Sequence, residues 1–343
     1  MATTQDPKTA HRATLPSTLM TSLRSAPLPE PGAETERCAL NPTQLDKPAF
    51  VLAVPFSFAT EVANNPWMQE LSAVERAPNR KKAMRQWLDF YHYLAAEAVV
   101  YLLPSRGDWP LQDLVFTANL GVVLDHLPDQ NTAIVSNFTS DPRVGEAEIG
   151  TAFFTSLGYR AVRPPHKFEG EAELKHLRDN VYAGGYGIRS EREAYEWMES
   201  HLDIRVVKLR ETEPYLYHLD CTVFPLTRES TLVCTELYTE QEVRELERYT
   251  NIIDAPLDDC FSGVCNSVRL SNTILNASHI TELRAGTEEY AYELAKNRRL
   301  EDIAASLGFE LTFFNLSEYL KGGALLSCAV MHLNRYSYEF ALT

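Results

Sequence analysis

The chain has 343 residues, enough to bury a full core as one large domain or two ordinary ones, and its 45% hydrophobic and 23% charged content is that of a globular protein. A formal net charge of -15 argues against nucleic acid or an anionic membrane as a partner, since both need a basic face; it serves solubility and does not exclude a small cationic substrate. No run approaches the ~18 apolar residues of a spanning helix, and the N-terminus has no apolar signal-like core. The six cysteines (Cys38, Cys221, Cys234, Cys260, Cys265 and Cys328) have no CxxC or Cys/His spacing, so reduced thiols and a cytoplasmic protein are expected, with no metal.

Residues 1–45 hold six of the 19 prolines and little apolar periodicity, and are expected to form a loose tail; Arg12 and Arg24 leave an organelle transit peptide as the alternative reading. Residues 46–343 are expected to form a single domain. Phe50–Pro55 reads as a strand, and Arg80–Val99 as an amphipathic helix with Met84, Leu88, Tyr91 and Leu94 at helical spacing. Val100–Pro104, Leu114–Leu124 and Thr132–Phe138 are β-rich. Gly145–Leu157 is predicted helical with Gly158 as its C-cap. Strands are expected at Tyr159–Arg163, Asn180–Tyr186, Ile204–Leu209, Tyr215–Phe224 and Thr231–Thr235. Thr239 and Glu242 form a capping box that opens a helix to about Tyr249. Val264–Leu275 reads as a strand, Glu288–Leu307 as a long helix, and Glu310–Phe314 and Leu326–Leu333 as closing strands. Strands and single helices recur every 40–60 residues or so without a fixed period, which implies a repeated α/β unit.

Five polar clusters interrupt this pattern. Cys328 follows the Gly322-Gly323 pair, which lets the chain bring a thiol close to a pocket. His218 and Asp220 alternate within Tyr217-His218-Leu219-Asp220, so a strand there would place both on one face and let the carboxylate orient the imidazole. His332 is the one rival base, being close to Cys328. Glu169 stands at a turn between Phe168 and Gly170; the neighbouring Glu171 and Glu173 make a solvated acidic loop the equal alternative. Asn119 places an amide inside an apolar run, where it must bridge structure or touch a ligand. Asn65 precedes a turn proline in Asn64-Asn65-Pro66-Trp67-Met68. A thiol, an imidazole, acids and an amide on distant segments have the form of a Cys–His nucleophilic site.

In this order the motifs resemble the guanidino-group-modifying enzymes of the pentein superfamily over about residues 48–335. The points of resemblance are Asn65-Pro66-Trp67-Met68, Phe116-Thr117-Ala118-Asn119, Pro142-Arg143, Phe168-Glu169-Gly170, Gly185-Tyr186-Gly187 with Arg189, His218-Leu219-Asp220, and Gly322-Gly323 with Cys328. The resemblance implies a five-bladed α/β propeller of ββαβ units. It implies Cys328 as nucleophile, His218 as proton carrier, Glu169 and Asp220 on the guanidinium, and Arg143 and Arg189 on an α-carboxylate. Asn119 and the Asn65 segment are similar to those of arginine dihydrolases, where most deiminases carry an aspartate in place of Asn119. The implied substrate is arginine or a related guanidine, with no organic cofactor and with a homo-oligomer compatible. Arginine deiminase, amidinotransferase and a non-catalytic arginine-binding protein are the alternatives. Glu169-Gly170-Glu171-Ala172-Glu173 departs from the family's Glu-Gly-x-Gly-Asp, which puts the contact to the α-amino group in question.

Overall fold

The computed structural model describes residues 41–127 and 131–339. Cys38 and most of the expected tail lie outside them. Residues 41–45, counted with the tail by composition, belong instead to the fold: a 3₁₀ turn at Pro42–Gln44 is capped by Asn41, and Thr43 bonds the Tyr159 hydroxyl at 2.7 Å.

The strands build five small sheets of one design. Strands β1 (Ala49–Ala53) and β2 (Val99–Leu103) are parallel and joined by helix α1 (Arg80–Glu97). Next come β3 (Gly121–Val123), antiparallel to β4 (Thr132–Val135), which runs through α2 (Glu146–Ser156) to parallel β5 (Arg160–Val162). The same order repeats in β6 (Leu174–Arg178), β7 (Val181–Tyr186), α3 (Arg192–His201) and β8 (Arg205–Arg210). It repeats again in β9 (Val223–Pro225), β10 (Ser230–Val233), α4 (Glu240–Leu246) and β11 (Asn251–Asp254). The fourth copy is β12 (Val268–Leu270), β13 (Thr273–Ala277), α5 (Glu288–Leu307) and β14 (Glu310–Phe314). The first blade lacks its antiparallel strand until β15 (Met331–His332) supplies it, pairing Phe50 with His332 and Val51 with Met331. The chain therefore closes on itself, and each blade is a three-stranded ββαβ unit.

The expected helices match well because their caps are local. Thr239 and Glu242 form the capping box, and α5 ends at Gly308, whose φ of 75° suits only a residue without a Cβ. The long strand expectations fare worse. Leu114–Leu124, Tyr215–Phe224 and Leu326–Leu333 each shrink to two or three strand residues preceded by a 3₁₀ turn, at Thr117–Asn119, Leu219–Cys221 and Ser327–Ala329. Val264–Leu275 is a hairpin turning at Ser271, and β6 was not anticipated. These turns are buried, so their apolar residues imitate strand composition.

Those turns are what place the functional groups. One precedes the first strand of every blade: Thr117–Asn119 before β3, Gly170–Ala172 before β6, Leu219–Cys221 before β9, the bend at Asn266 before β12, and Ser327–Ala329 before β15. The first strands approach one another, β15 beside β3 and β6 beside β9, and the Thr117–Asn119 turn packs on both the Gly170–Ala172 and Ser327–Ala329 turns. The approach at Gly170 is close: at φ 70°, a Cβ there would lie 2.5 Å from the Ala118 carbonyl oxygen. Thr117 ties the ring by donating its hydroxyl to the carbonyls of Val51 (2.9 Å) and Ala329 (3.2 Å).

Candidate active site

Cys328 is 7% exposed, in the turn that opens the last strand. Its Sγ lies 3.6 Å from Asp220 Oδ2 and accepts from Asn266 Nδ2 at 3.6 Å. Burial, reinforced by the Asp220 carboxylate, pushes its thiol up to about 12, so the resting sulfur is protonated. Asp220 also accepts from the Ser327 hydroxyl at 2.5 Å, and Asn266 Oδ1 accepts from the Ser327 N–H at 2.9 Å. The turn bearing the thiol is thus held from two neighbouring blades.

His218 does not stand on a strand with Asp220. It caps the Leu219–Cys221 turn, and its partner is Glu169, whose Oε2 accepts from Nε2 at 2.8 Å. This bond puts the proton of the neutral ring on Nε2 and leaves Nδ1 as the basic nitrogen. Burial lowers the His218 pKa against the pull of Glu169. Burial alone would raise Glu169, but the bond and charge of His218, with Arg189 and Arg143 beyond, hold it down to about 2. Its other oxygen accepts the Thr139 N–H at 3.0 Å. The Asn119 amide nitrogen lies 3.2 Å from His218 Nε2 and 3.5 Å from the Glu169 carbonyl.

A small cavity of about 20 Å³, room for about one water, is bounded by Cys328, His218, Asn119, Asn65, Arg143 and Arg189. Six of the eight anticipated site residues therefore meet around one space; Glu169 and Asp220 sit fully buried behind it, against His218 and Cys328. A larger cavity of about 290 Å³ meets the small one at Tyr217, His218 and Cys328 and extends to Phe261, Leu325 and the Lys296–Glu293 pair.

The two arginines differ. Arg143 is 4% exposed and turned to its own fold: Nη2 meets Glu146 Oε2 at 2.8 Å and the Phe116 carbonyl at 3.1 Å, and the guanidinium lies over the Phe138 ring. Arg189 lies over the Tyr217 ring and gives Nη2 to the Asn64 carbonyl at 2.6 Å, with Nη1 3.9 Å from Glu169. Asn65 spends its amide locally, accepting from Met68 N–H at 3.0 Å as a helix cap and donating to the Gly322 carbonyl at 2.9 Å. It thereby pins the glycine loop over the cavity.

Several expectations change. The acidic loop is not solvated: Glu171 is 3% and Glu173 0% exposed. Glu171 is held low despite burial because it bonds His332 Nδ1 at 2.6 Å with Arg335 beside it. That pairing keeps His332 away from both cavities and removes it as a rival base. Glu173 does not reach the cavity either. Two groups were missed. Asp113 lines the small cavity, 3% exposed, its carboxylate accepting from Asn64 at 2.8 Å, and burial raises its pKa. Asn266 was missed because its signal, a polar residue just ahead of a blade's first strand, is visible only once the repeat is known. Among the described residues no cluster of three or more His, Cys, Asp or Glu could hold a metal ion, and no helix is long and apolar enough to cross a membrane.

The sequence model of the family described as N,N dimethylarginine dimethylhydrolase, eukaryotic, matches residues 53–335. The chain belongs to that family. This member is 26% identical over 287 residues to the bifunctional arginine dihydrolase/ornithine cyclodeaminase AgrE of Nostoc sp., covering 83% of this chain and 37% of AgrE. It is 27% identical over 288 residues to the N(G),N(G)-dimethylarginine dimethylaminohydrolase of Mycobacterium tuberculosis, covering 83% and 85% of the two chains. The N-terminal domain of the arginine dihydrolase ArgZ, bound to its substrate, superposes with a TM-score of 0.71 at 25% identity over 84% of this chain and 98% of that one. A dimethylarginine hydrolase from Pseudomonas aeruginosa complexed with citrulline shares the fold, with a TM-score of 0.60 at 18% identity over 84% and 99% of the chains. The chain spans a little over a third of the bifunctional relative. The pentein fold and family expected from the motifs hold.

Proposed function

We propose that the enzyme is an arginine dihydrolase, converting arginine and two waters to ornithine, carbon dioxide and two ammonia, with Cys328 as nucleophile and His218 as proton carrier. The observation that carries this reading is the amide of Asn119, where most deiminases have a carboxylate, beside the His218–Glu169 pair and on the cavity that holds Cys328. A carboxylate only accepts hydrogen bonds, which suits a guanidinium that only donates. An amide also donates, so it can hold the C=O of a ureido group and keep citrulline in place for a second attack. The similarity to AgrE and ArgZ supports the same reading.

The resting thiol is protonated because it is buried beside Asp220. A guanidinium entering the site neutralises that carboxylate and adds a positive charge near sulfur, which lowers the thiol pKa only when substrate is present. The thiol proton passes to Nδ1 of His218, and the thiolate attacks the guanidine carbon. His218 then protonates the leaving ammonia, and Glu169 compensates the imidazolium charge. Water deprotonated by His218 attacks the thiouronium and releases Cys328. Citrulline goes through the same cycle: Cys328 attacks the ureido carbon and the second ammonia of the reaction leaves, water releases the resulting thiocarbamate as an Nδ-carbamate, and this breaks its C–Nδ bond, with a proton going to Nδ, to give carbon dioxide and ornithine. Asn119 and Asp220 hold the planar group, and Arg189 and Asp113 hold the amino-acid end; Arg143, committed to Glu146 and the Phe116 carbonyl, braces the fold and does not take the α-carboxylate that the motif implied for it. With room for about one water in the resting cavity, entry needs the Gly322–Gly323 loop or the helix at Pro66–Glu70 to move.

A second reading, hydrolysis of a methylated arginine to citrulline and an alkylamine, is favoured by the family match and by the 85% coverage of the Mycobacterium relative. One experiment separates them: incubation of the purified protein with arginine or asymmetric dimethylarginine, followed by quantification of ornithine, citrulline, ammonia and dimethylamine. The dihydrolase reading requires ornithine with two ammonia from arginine. Citrulline accumulating without ornithine sinks it.

A further inference from the structure

Behind the His218 turn lies a pair of acids that the mechanism does not use. Glu173, 0% exposed at the start of β6, accepts the Leu219 N–H on Oε2 at 3.1 Å and the Ser190 hydroxyl on Oε1 at 3.2 Å. Ser190 in turn accepts the Glu169 N–H at 3.2 Å. One carboxylate thus fastens the backbone beside both His218 and Glu169. Glu211, 7% exposed at the end of β8, brings its carboxyl group against that of Glu173 across Gly185. A Cβ on Gly185 would stand 2.7 Å from Glu173 Oε2 and 2.8 Å from Glu211 Oε1, so only glycine lets the two acids meet. Among the described residues, neither oxygen of Glu211 finds a donor.

Two acceptor-only carboxylates in contact, one without any donor, cannot both be ionised in a buried site. A single proton between them resolves the conflict. We propose that Glu173 and Glu211 share one proton and act as positioning residues for the turn that carries His218 and Asp220, so that losing this proton disables the enzyme on the alkaline side. The groups facing the pair are Glu169 and Asp220, both unfavourable to a second negative charge, Arg189, which favours it, and Tyr195, Tyr238 and Cys221. Burial raises Glu173, with Glu211 and Glu169 adding to it; burial likewise lifts Glu211 to about 8. Once the proton is lost, repulsion pushes Glu173 off the Leu219 N–H, and the turn bearing His218 loses its anchor.

The inference rests on the role given to His218, and its test has one readout that depends on turnover and one that does not. Glu211→Gln replaces the shared proton with a permanent amide donor and keeps the net charge. In this variant the alkaline limb of the kcat profile should move up by about one pH unit or more, while Glu173→Gln, which loses one of its two acceptor bonds, should lower kcat about 10-fold with a smaller change in KM. Infrared spectra of the wild type should show a C=O stretch component of a protonated carboxyl at about pH 7 that is lost by about pH 9, and this component should be missing from Glu211→Gln, whose remaining carboxyl signal comes from other buried acids such as Asp113 and Glu146. The infrared band stands whichever guanidine is the substrate, so its presence with no arginine turnover would fault the substrate and not the pair. An alkaline limb and infrared spectrum in Glu211→Gln equal to those of the wild type would overturn the proposal.

Discussion

The chemistry assigned to Cys328 depends on a thiol that is unreactive until a cation arrives. Its pKa of about 12 in the resting protein, set by burial and Asp220, predicts slow alkylation by iodoacetamide at neutral pH, with a rate at the Cys328-bearing peptide still climbing above about pH 10. A plateau near neutrality would mean that an imidazolium–thiolate pair already exists at rest. His218→Ala should lower kcat by about 100- to 10,000-fold, read from steady-state ammonia release, and wild-type rates would remove it from proton transfer. Glu169 gives a stability test with a definite sign. Its pKa is depressed from 4.5 to about 2, so its contribution is fully present above about pH 4.5 and is lost as the pH falls through about 2. The stability gap between wild type and Glu169→Gln, measured by urea unfolding, should therefore narrow across that window. A constant gap would contradict the buried His218–Glu169 bond.

The tight turn ahead of each blade's first strand is the element on which the site is built. The clamp between Asn65 and the glycine loop belongs here, because it joins the cap of one short helix to the carbonyl of Gly322. Asn65→Ala removes a cap worth about 1 kcal/mol and frees the loop, so KM should rise more than kcat falls, with a melting temperature a few degrees lower. Gly323→Ala should do worse, since φ is 73° and the new Cβ would sit 2.6 Å from Asn65 Oδ1; unaltered kinetics in that variant would show that the loop does not gate the cavity. Much of the site was legible through the order of its motifs and their resemblance to the pentein enzymes, because a polar residue such as Asn119 in an apolar run, or Glu169 at a turn among other acids, has a structural reading of its own when taken singly. What was not legible is the direction each side chain takes. Alternation put Asp220 beside His218, yet a 3₁₀ turn rotates Asp220 toward Cys328 and leaves the imidazole to Glu169, some 50 residues upstream. Asp113 and Asn266 escaped notice because their polarity is ordinary until three-dimensional neighbours bury them.

Across the whole molecule, five similar blades closed by the pairing of β15 with β1 explain how residues from Asn65 to Cys328 can surround one cavity. The recurrence of strands and helices was visible in the sequence, whereas ring closure was implied only by the resemblance and not by periodicity, since it rests on backbone pairing between the two ends of the fold. Ending the chain at Val330 should remove that pairing and abolish cooperative unfolding and activity together, as judged by calorimetry and ammonia release. The most direct test of the account is to quench the enzyme with acid while it turns over arginine labelled with ¹³C in the guanidino carbon, and to map the label by peptide mass spectrometry. The account predicts the labelled carbon attached to the sulfur of Cys328; turnover with no label there, or with label on another residue, would contradict it.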